Sequence, residues 1–206
     1  MYGNVVFNGI TILRNRGDIM SSNKTVENVQ PLRSSEELKN MREALAQTNA
    51  AGRNTLLFNI GVNTGLRIGD IVRLRIEDVR GRSSVVILEG KTKKARTIYL
   101  DSIMAEIADY LENKGEKGWL FPSRKGDNHI STTQAYRILA TAGERCGYDY
   151  VGSHTLRKTF GYHYYQRTKD VATLMEIFNH DSQATTKRYI GIRADEIKAS
   201  LRGFKI

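Results

Sequence analysis

The chain holds a single cysteine, Cys146, among 206 residues. That excludes an internal disulfide and a cysteine-built metal site, and it fits a reducing, intracellular setting. The apolar run in the N-terminal stretch MYGNVVFNGITILRNRGD is far too short to span a bilayer. It also lacks the basic-then-apolar order of a signal peptide, so no membrane partner is expected. No carboxylates cluster as a divalent metal would require, and no glycine-rich loop runs into Lys-Ser or Lys-Thr to cradle a nucleotide. No internal repeat is present. The chemistry is therefore expected to use side chains alone, with no metal and no cofactor.

What the chain has in excess is positive charge. Lys and Arg number 32 against 22 Asp and Glu, a formal net charge of +10. Such a balance favours a polyanionic partner, because each phosphate neutralised releases counterions. Hydrophobic residues make up 40%, enough for one folded domain with or without an arm.

Residues 1 to about 30 mix Gly, Asn and Ser with isolated apolar residues, which reads as an arm, a short strand pair or a linker. The folded part is expected over 31–206. A capping-box pattern, Ser34 with Glu37, opens a helix carrying Leu38, Met41 and Leu45. A second helix covers Thr55 to about Val62 and is broken by Asn63-Thr64-Gly65. A short third spans Leu66–Leu74. Val85–Leu88 and Thr97–Leu100 read as a β-hairpin around the polar EGKTKKAR. Asp101 is expected to cap a helix carrying Ile103, Ile107, Tyr110 and Leu111. Ser131 caps the next helix, which stops at Gly147. Thr155–Arg167 follows, then a helix opened by Thr168 or Asp170 with the stripe Val171, Leu174, Met175, Phe178. Ser182 caps a short helix that delivers Tyr189, and Ile197 and Leu201 mark a last one. The fold class is α+β, mainly helical with one small antiparallel sheet.

The stretch from His154 to Tyr189 concentrates the chemistry, offering His154, Arg157, His180 and Tyr189. Breaking a phosphodiester needs a nucleophile, a clamp for the phosphate charge, and proton donors or acceptors. His154 and Arg157 are three apart and share a face at a helix start, although an HxxR pattern alone is common. Upstream, Arg67 in TGLRIGD follows a glycine that permits a tight turn into a helix. Its planar fork suits two phosphate oxygens as lysine's ammonium does not, whereas an isolated arginine is usually plain surface. Asp70 would share its face and orient Arg67 or an imidazole, or sit in solvent. Tyr189 is a poor nucleophile unless positive charge lies close by; the ordinary fate of one Tyr among ten is a half-buried aromatic. Tyr162, Tyr164, Tyr165, His129 and His163 are read as surface or packing residues. Lys91, Lys93, Lys94 and Arg96 crowd the hairpin, and any one of them can reach a DNA groove or donate a proton; otherwise they form a solvated basic turn.

Taken in order, these pieces resemble the tyrosine recombinases, the phage integrase family. TGLRIGDIVRL resembles the first arginine box, EGKTKKARTIYL the lysine hairpin, HTLRKTFGYH the second box and MEIFNHDSQATTKRYI the last. One departure stands out: Phe178-Asn179 replaces the Leu-Gly usual before the last box's histidine, so a differently shaped helix end is expected. The separate N-terminal DNA-clamping domain of the family has no counterpart in the residues before 31. The chain resembles either the short recombinases that invert promoter segments or a catalytic domain on its own.

The resemblance implies the catalytic-domain fold of DNA breaking-and-rejoining enzymes, and with it a set of roles. Tyr189 is the nucleophile, forming a 3′-phosphotyrosyl link. Arg67 and Arg157 hold the non-bridging oxygens. Lys91 is the proton donor to the leaving oxygen, His154 the acid or base, and His180 a hydrogen-bond donor to phosphate. Asp70 supports them, and Lys93, Lys94 and Arg96 touch DNA. The partner is double-stranded DNA, engaged by a homotetramer that docks through Asp195–Ile206, with accessory DNA-bending proteins as further partners. The setting is a bacterial cytoplasm, near the nucleoid, or a phage or mobile element. Two other readings compete: a non-catalytic DNA-binding regulator on the same fold, and a type IB topoisomerase.

Overall fold

The computed structural model describes residues 3–7, 10–14 and 29–205. Near the N-terminus, strands β1 (Gly3–Phe7) and β2 (Ile10–Arg14) pair antiparallel, with Gly3 opposite Arg14 and Phe7 opposite Ile10. The rest of the arm or linker expected over residues 1–30 lies almost wholly outside the described residues.

The helical body begins with α1 (Ser35–Ala46). The Ser34 hydroxyl accepts from the Glu37 N–H, and the Glu37 carboxylate accepts in return from the Ser34 N–H at 2.7 Å. This is the expected capping box, and it satisfies two of the helix's orphan donors. Helix α2 (Ala51–Thr64) starts four residues before the expected Thr55 and runs two beyond Val62. Asn63 and Thr64 do not break it, because each donates a side-chain hydrogen bond to the carbonyl four residues back, Asn59 and Ile60. Gly65 stops it in the left-handed conformation, φ 62°. Leu56, Leu57, Phe58 and Ile60 are buried, which makes α2 the central helix of the larger core.

Only Ile68–Ile71 of the expected Leu66–Leu74 helix forms, as α3, and α4 (Ile76–Val79) is an element that the residue pattern does not announce. The hairpin is β3 (Ser84–Leu88) and β4 (Ala95–Tyr99), paired from Ser84–Tyr99 to Leu88–Ala95. Its inner face sets Ile98 against the core, while Val86, Leu88 and Tyr99 point outward. Asp101 does not cap an α-helix. It opens a 3₁₀ turn over Asp101–Ile103, and α5 (Met104–Leu111) follows with no side-chain cap.

The remaining caps agree with expectation. The Ser131 hydroxyl accepts from Gln134 N–H to start α6 (Thr132–Arg145). Asp170, rather than Thr168, caps α8 (Val171–Phe178), and Ser182 caps α9 (Gln183–Tyr189). Between α6 and α8 lies α7 (Thr155–Thr168), and α10 (Ile192–Ser200) is the last helix among the described residues. The result is mainly helical with a small antiparallel hairpin beside the core.

Two apolar clusters share the body. The larger gathers α1 to α6; the smaller gathers Tyr165, Val171, Leu174, Phe178, Ile190 and Ile192. Helices α2 and α7 cross at Gly61, where an added Cβ would lie 2.4 Å from Leu156 Cδ1. That close approach sets the end of α2, and hence Arg67, beside the start of α7, and hence Arg157. Gly61→Ala is expected to overpack this crossing and destabilise the fold by about 1–3 kcal/mol despite alanine's better helix propensity. A thermal melt checks this; an unchanged midpoint would mean that the crossing relaxes freely.

Candidate active site

The seam between the two clusters brings together residues far apart in sequence. Arg157 is its centre. It is 3% exposed, and its Nη1 donates to the Gly65 carbonyl at 2.6 Å while Nη2 donates to the Phe178 carbonyl at 3.1 Å. The guanidinium also lies 4.3 Å from the Phe178 ring centroid. Burial lowers its pKa to about 10, so it stays charged at neutral pH.

Tyr189, the last residue of α9, faces this charge. Its hydroxyl lies 3.2 Å from His154 Nδ1. Its ring meets His180 edge-on at 5.1 Å and Phe178 at 5.5 Å, and Lys158 Nζ sits 5.4 Å above it. Burial pushes the phenol above the ordinary tyrosine value, and Arg157 and Arg67 pull it back without cancelling the effect. His154, an exposed residue, stands at the N-cap of α7. Partial desolvation, then the charges of Lys158, Arg157, Lys91 and Arg67, hold its pKa below the usual imidazole value. His180 is depressed likewise, by burial and then by Arg157 and Arg67, and its Nδ1 lies 3.1 Å from the Thr186 hydroxyl. Both guanidiniums thus act on the same three groups: with burial they keep two imidazoles neutral, and against burial they favour the ionised phenol.

Arg67 stands at the start of α3, and its Nη1 donates to Glu89 Oε2 at 2.6 Å. Glu89, only 5% exposed in its side chain, also accepts from the Thr92 hydroxyl at 2.8 Å and from Arg96 Nη1 at 3.5 Å. Burial alone would raise its pKa. The bonds from Thr92 and Arg67, with the charges of Arg67 and Arg157, outweigh that and carry it below the usual glutamate value. Lys91, at the hairpin tip, is exposed and lines an open cleft of about 510 Å³ together with Arg67, Asp70, Arg73, Ser153 and His154.

Four expectations need correction. Arg96 does not reach outward: it donates to the Thr64 carbonyl at 2.7 Å and to Glu89, with its side chain 16% exposed. Asp70 orients neither Arg67 nor an imidazole and is not in solvent. It is buried, accepting from Arg73 Nη2 at 2.5 Å and from the Gly90 N–H at 2.9 Å, and so pins the hairpin to α3. Lys94 spends its ammonium on Asn179 Oδ1 at 2.6 Å, which leaves Lys93, exposed and left-handed at φ 58°, nearer the expected role. The replaced Leu-Gly does not reshape its helix end. Asn179 adopts the left-handed conformation that glycine takes readily, and the His180 N–H returns to the Met175 carbonyl at 2.9 Å. His163 and Tyr165 are packing residues, bonded to the Leu32 carbonyl and to Glu196.

Two residues at the seam escape a reading of the sequence alone. Lys158 is legible in principle, four residues after His154 on the same helical face. Glu89 gives only a faint signal, as the one carboxylate ending an apolar strand.

The hairpin beside a helical body, with these side chains at the seam, is the catalytic-domain fold of the tyrosine recombinases. The solved XerA recombinase superposes with a TM-score of 0.67 over 86% of this chain and 64% of its own, at 23% identity. The post-cleavage complex of XerH bound to a palindromic difH substrate matches at a TM-score of 0.61 and 26% identity, over 77% of this chain and 48% of that one. Residues 33–196 match the Phage integrase family, and the chain belongs to it. Among its relatives is the probable integrase/recombinase YoeC of Bacillus subtilis, 45% identical over 177 residues, 85% of this chain and 97% of YoeC. The tyrosine recombinase XerA of Pyrococcus furiosus is 30% identical over 171 residues, 81% of this chain. This chain spans 59% of that XerA, about three fifths of its length.

Removing the Glu89 carboxylate leaves Arg67 and Arg96 half-buried without a counter-charge. Glu89→Ala is expected to cost about 3 kcal/mol, as when one partner leaves a buried ion pair. Because the folded-state pKa of Glu89 lies below 4.5, its contribution is complete above that pH and is lost as the pH falls through the folded value. Urea unfolding of the wild type and Glu89→Gln should therefore differ at pH 7 and converge as the pH drops below 4.5. A difference that stays constant with pH would argue against an electrostatic role.

Proposed function

We propose that residues 31–206 form the catalytic unit of a site-specific DNA recombinase that cuts and rejoins strands through a covalent phosphotyrosyl link. The observation that carries this reading is the Tyr189 hydroxyl, 3.2 Å from a neutral imidazole and within the field of two guanidiniums. With its pKa raised, the phenol needs a base to become a nucleophile. His154, whose pKa is lowered, is free to take that proton at neutral pH. The Tyr189 oxygen then attacks the scissile phosphorus, forming a 3′-phosphotyrosyl bond as the bond to the 5′ oxygen breaks.

Arg67 and Arg157 stabilise the charge that builds on the non-bridging oxygens, where fixed donors act most strongly. His180 adds a hydrogen bond to the phosphate. Lys91 protonates the departing 5′ oxygen. The new ester retains the bond energy, so a 5′ hydroxyl from a partner strand reverses the attack without ATP. Lys93 contacts the DNA backbone beside the cleft. Four copies act together on two DNA sites, and Ile197, Leu201 and Phe204, each more than half exposed, offer an apolar surface for docking on a neighbour. Accessory DNA-bending proteins assist the assembly, and the reaction takes place in the cytoplasm of a bacterium or of a mobile element's host.

A nicked duplex library with a randomised core, run on a denaturing gel, tests the chemistry. The wild type should give a shifted covalent band, and Tyr189→Phe should give none while still binding duplex DNA. A band from Tyr189→Phe would reassign the nucleophile, and no band from either protein would favour a DNA-binding role without cleavage. Arg157→Lys should slow trapping by about 10²–10³-fold, the usual cost of losing one fixed donor to a developing oxyanion.

The pH profile of trapping is a separate check. His154 and His180 both titrate below the ordinary imidazole value of 6.5. The acid limb of the rate should be centred below pH 6.5, as the base protonates. An acid limb centred above pH 6.5 would contradict a neutral His154.

A further inference from the structure

A second cleft, of about 340 Å³, shares no lining residue with the catalytic one. Four arginines line it: Arg53, Arg124, Arg137 and Arg145, with Gln134 and Asn54 among the neutral residues and no carboxylate. Arg53 is held in place by bonds to Asn54 Oδ1 at 3.0 Å and to the Pro122 carbonyl at 3.3 Å, all neutral acceptors. Arg124, Arg137 and Arg145 are exposed, and among the described residues no carboxylate pairs with them. Burial lowers the pKa of Arg53, Tyr110 opposes this, and the charge of Arg124 adds to the lowering.

The shape is a row rather than a point. Arg137 and Arg145 are two turns apart on α6, about 12 Å along its axis. Thr132, at the other end of α6, lines the catalytic cleft, about 20 Å from Arg145 and on a different face of the helix. A single small anion would satisfy one or two of these side chains. A run of phosphates satisfies all of them, and arginine's fork suits phosphate oxygens.

We infer that this arginine row binds a nucleic-acid phosphodiester backbone distinct from the segment being cut. The backbone comes either from the flanking arm of the cleaved duplex, curved around α6, or from a second duplex. The inference goes beyond the proposed cleavage chemistry and does not require it.

The test is a combined Arg124→Gln, Arg137→Gln and Arg145→Gln variant, all at exposed positions. DNA affinity is measured against salt on a duplex of about 12 bp, roughly 40 Å long, and on one of about 30 bp. On the longer duplex the slope of log K against log salt should fall by about 2–3, near 0.9 for each phosphate that is no longer neutralised. On the shorter duplex it should not change. A second arm asks whether protein saturated with unlabelled short duplex captures a labelled one. Capture by the wild type and not by the variant assigns the row to a second duplex; loss on the long duplex without capture assigns it to the flanking arm. Equal slopes for both proteins on every DNA would overturn the inference, as would an equal fall on the short duplex. Covalent trapping on short nicked duplex should match in the two proteins. Its absence from both would count against the cleavage reading and leave the salt slopes interpretable.

Discussion

The buried guanidinium of Arg157 ties this protein together. A charge with 3% exposure normally demands a carboxylate. Here its two hydrogen bonds go instead to the carbonyls of Gly65 and Phe178, which close the C-terminal ends of α2 and α8. Those ends carry the partial negative charge of their helices and of their unpaired carbonyls. The cation is thereby solvated by dipoles and not neutralised by an acid. Its field survives at the seam, and its geometry is fixed by two helices belonging to two different apolar clusters.

Arg67 is handled differently. Its partner is a true carboxylate, Glu89, which also holds Thr92 and Arg96. This knot lies in the hairpin turn that carries Lys91, and Asp70 fastens the same turn through the Gly90 N–H. The two acids thus act as struts between α3 and the hairpin. They moderate the positive potential without abolishing it, since among the described residues no carboxylate forms an ion pair with Arg157, Lys91 or Lys158. The imidazoles respond to that residual field by staying neutral, and the phenol by staying only partly raised.

Much of this is legible along the chain because it is local. The Ser34, Ser131, Asp170 and Ser182 caps each depend on a residue three positions on. The boxes around Arg67, Arg157, His180 and Tyr189 announce themselves by residue type and order. What is not legible is pairing at long range. Arg96 looks like any basic hairpin residue until Thr64, 32 positions away, turns out to present its carbonyl to it. Helical spacing groups Asp70 with Arg67, yet only one short turn of α3 forms, and Asp70 bonds ahead to Arg73 and across to Gly90. Asp101 has the chemistry of a cap but sits before a 3₁₀ turn, where its side chain meets no helix start. Glu89 is missed because a lone acid ending a strand has no periodic partner.

Asn179 joins two parts of the molecule that the sequence keeps 85 positions apart. Its backbone makes the left-handed stop that places His180, and its amide oxygen receives the Lys94 ammonium. A glycine would perform the first task and leave the second undone. The basic loop and the histidine's corner are therefore tethered to each other. On the proposed reading, DNA seated against the loop would act on the His180 corner through this one carboxamide.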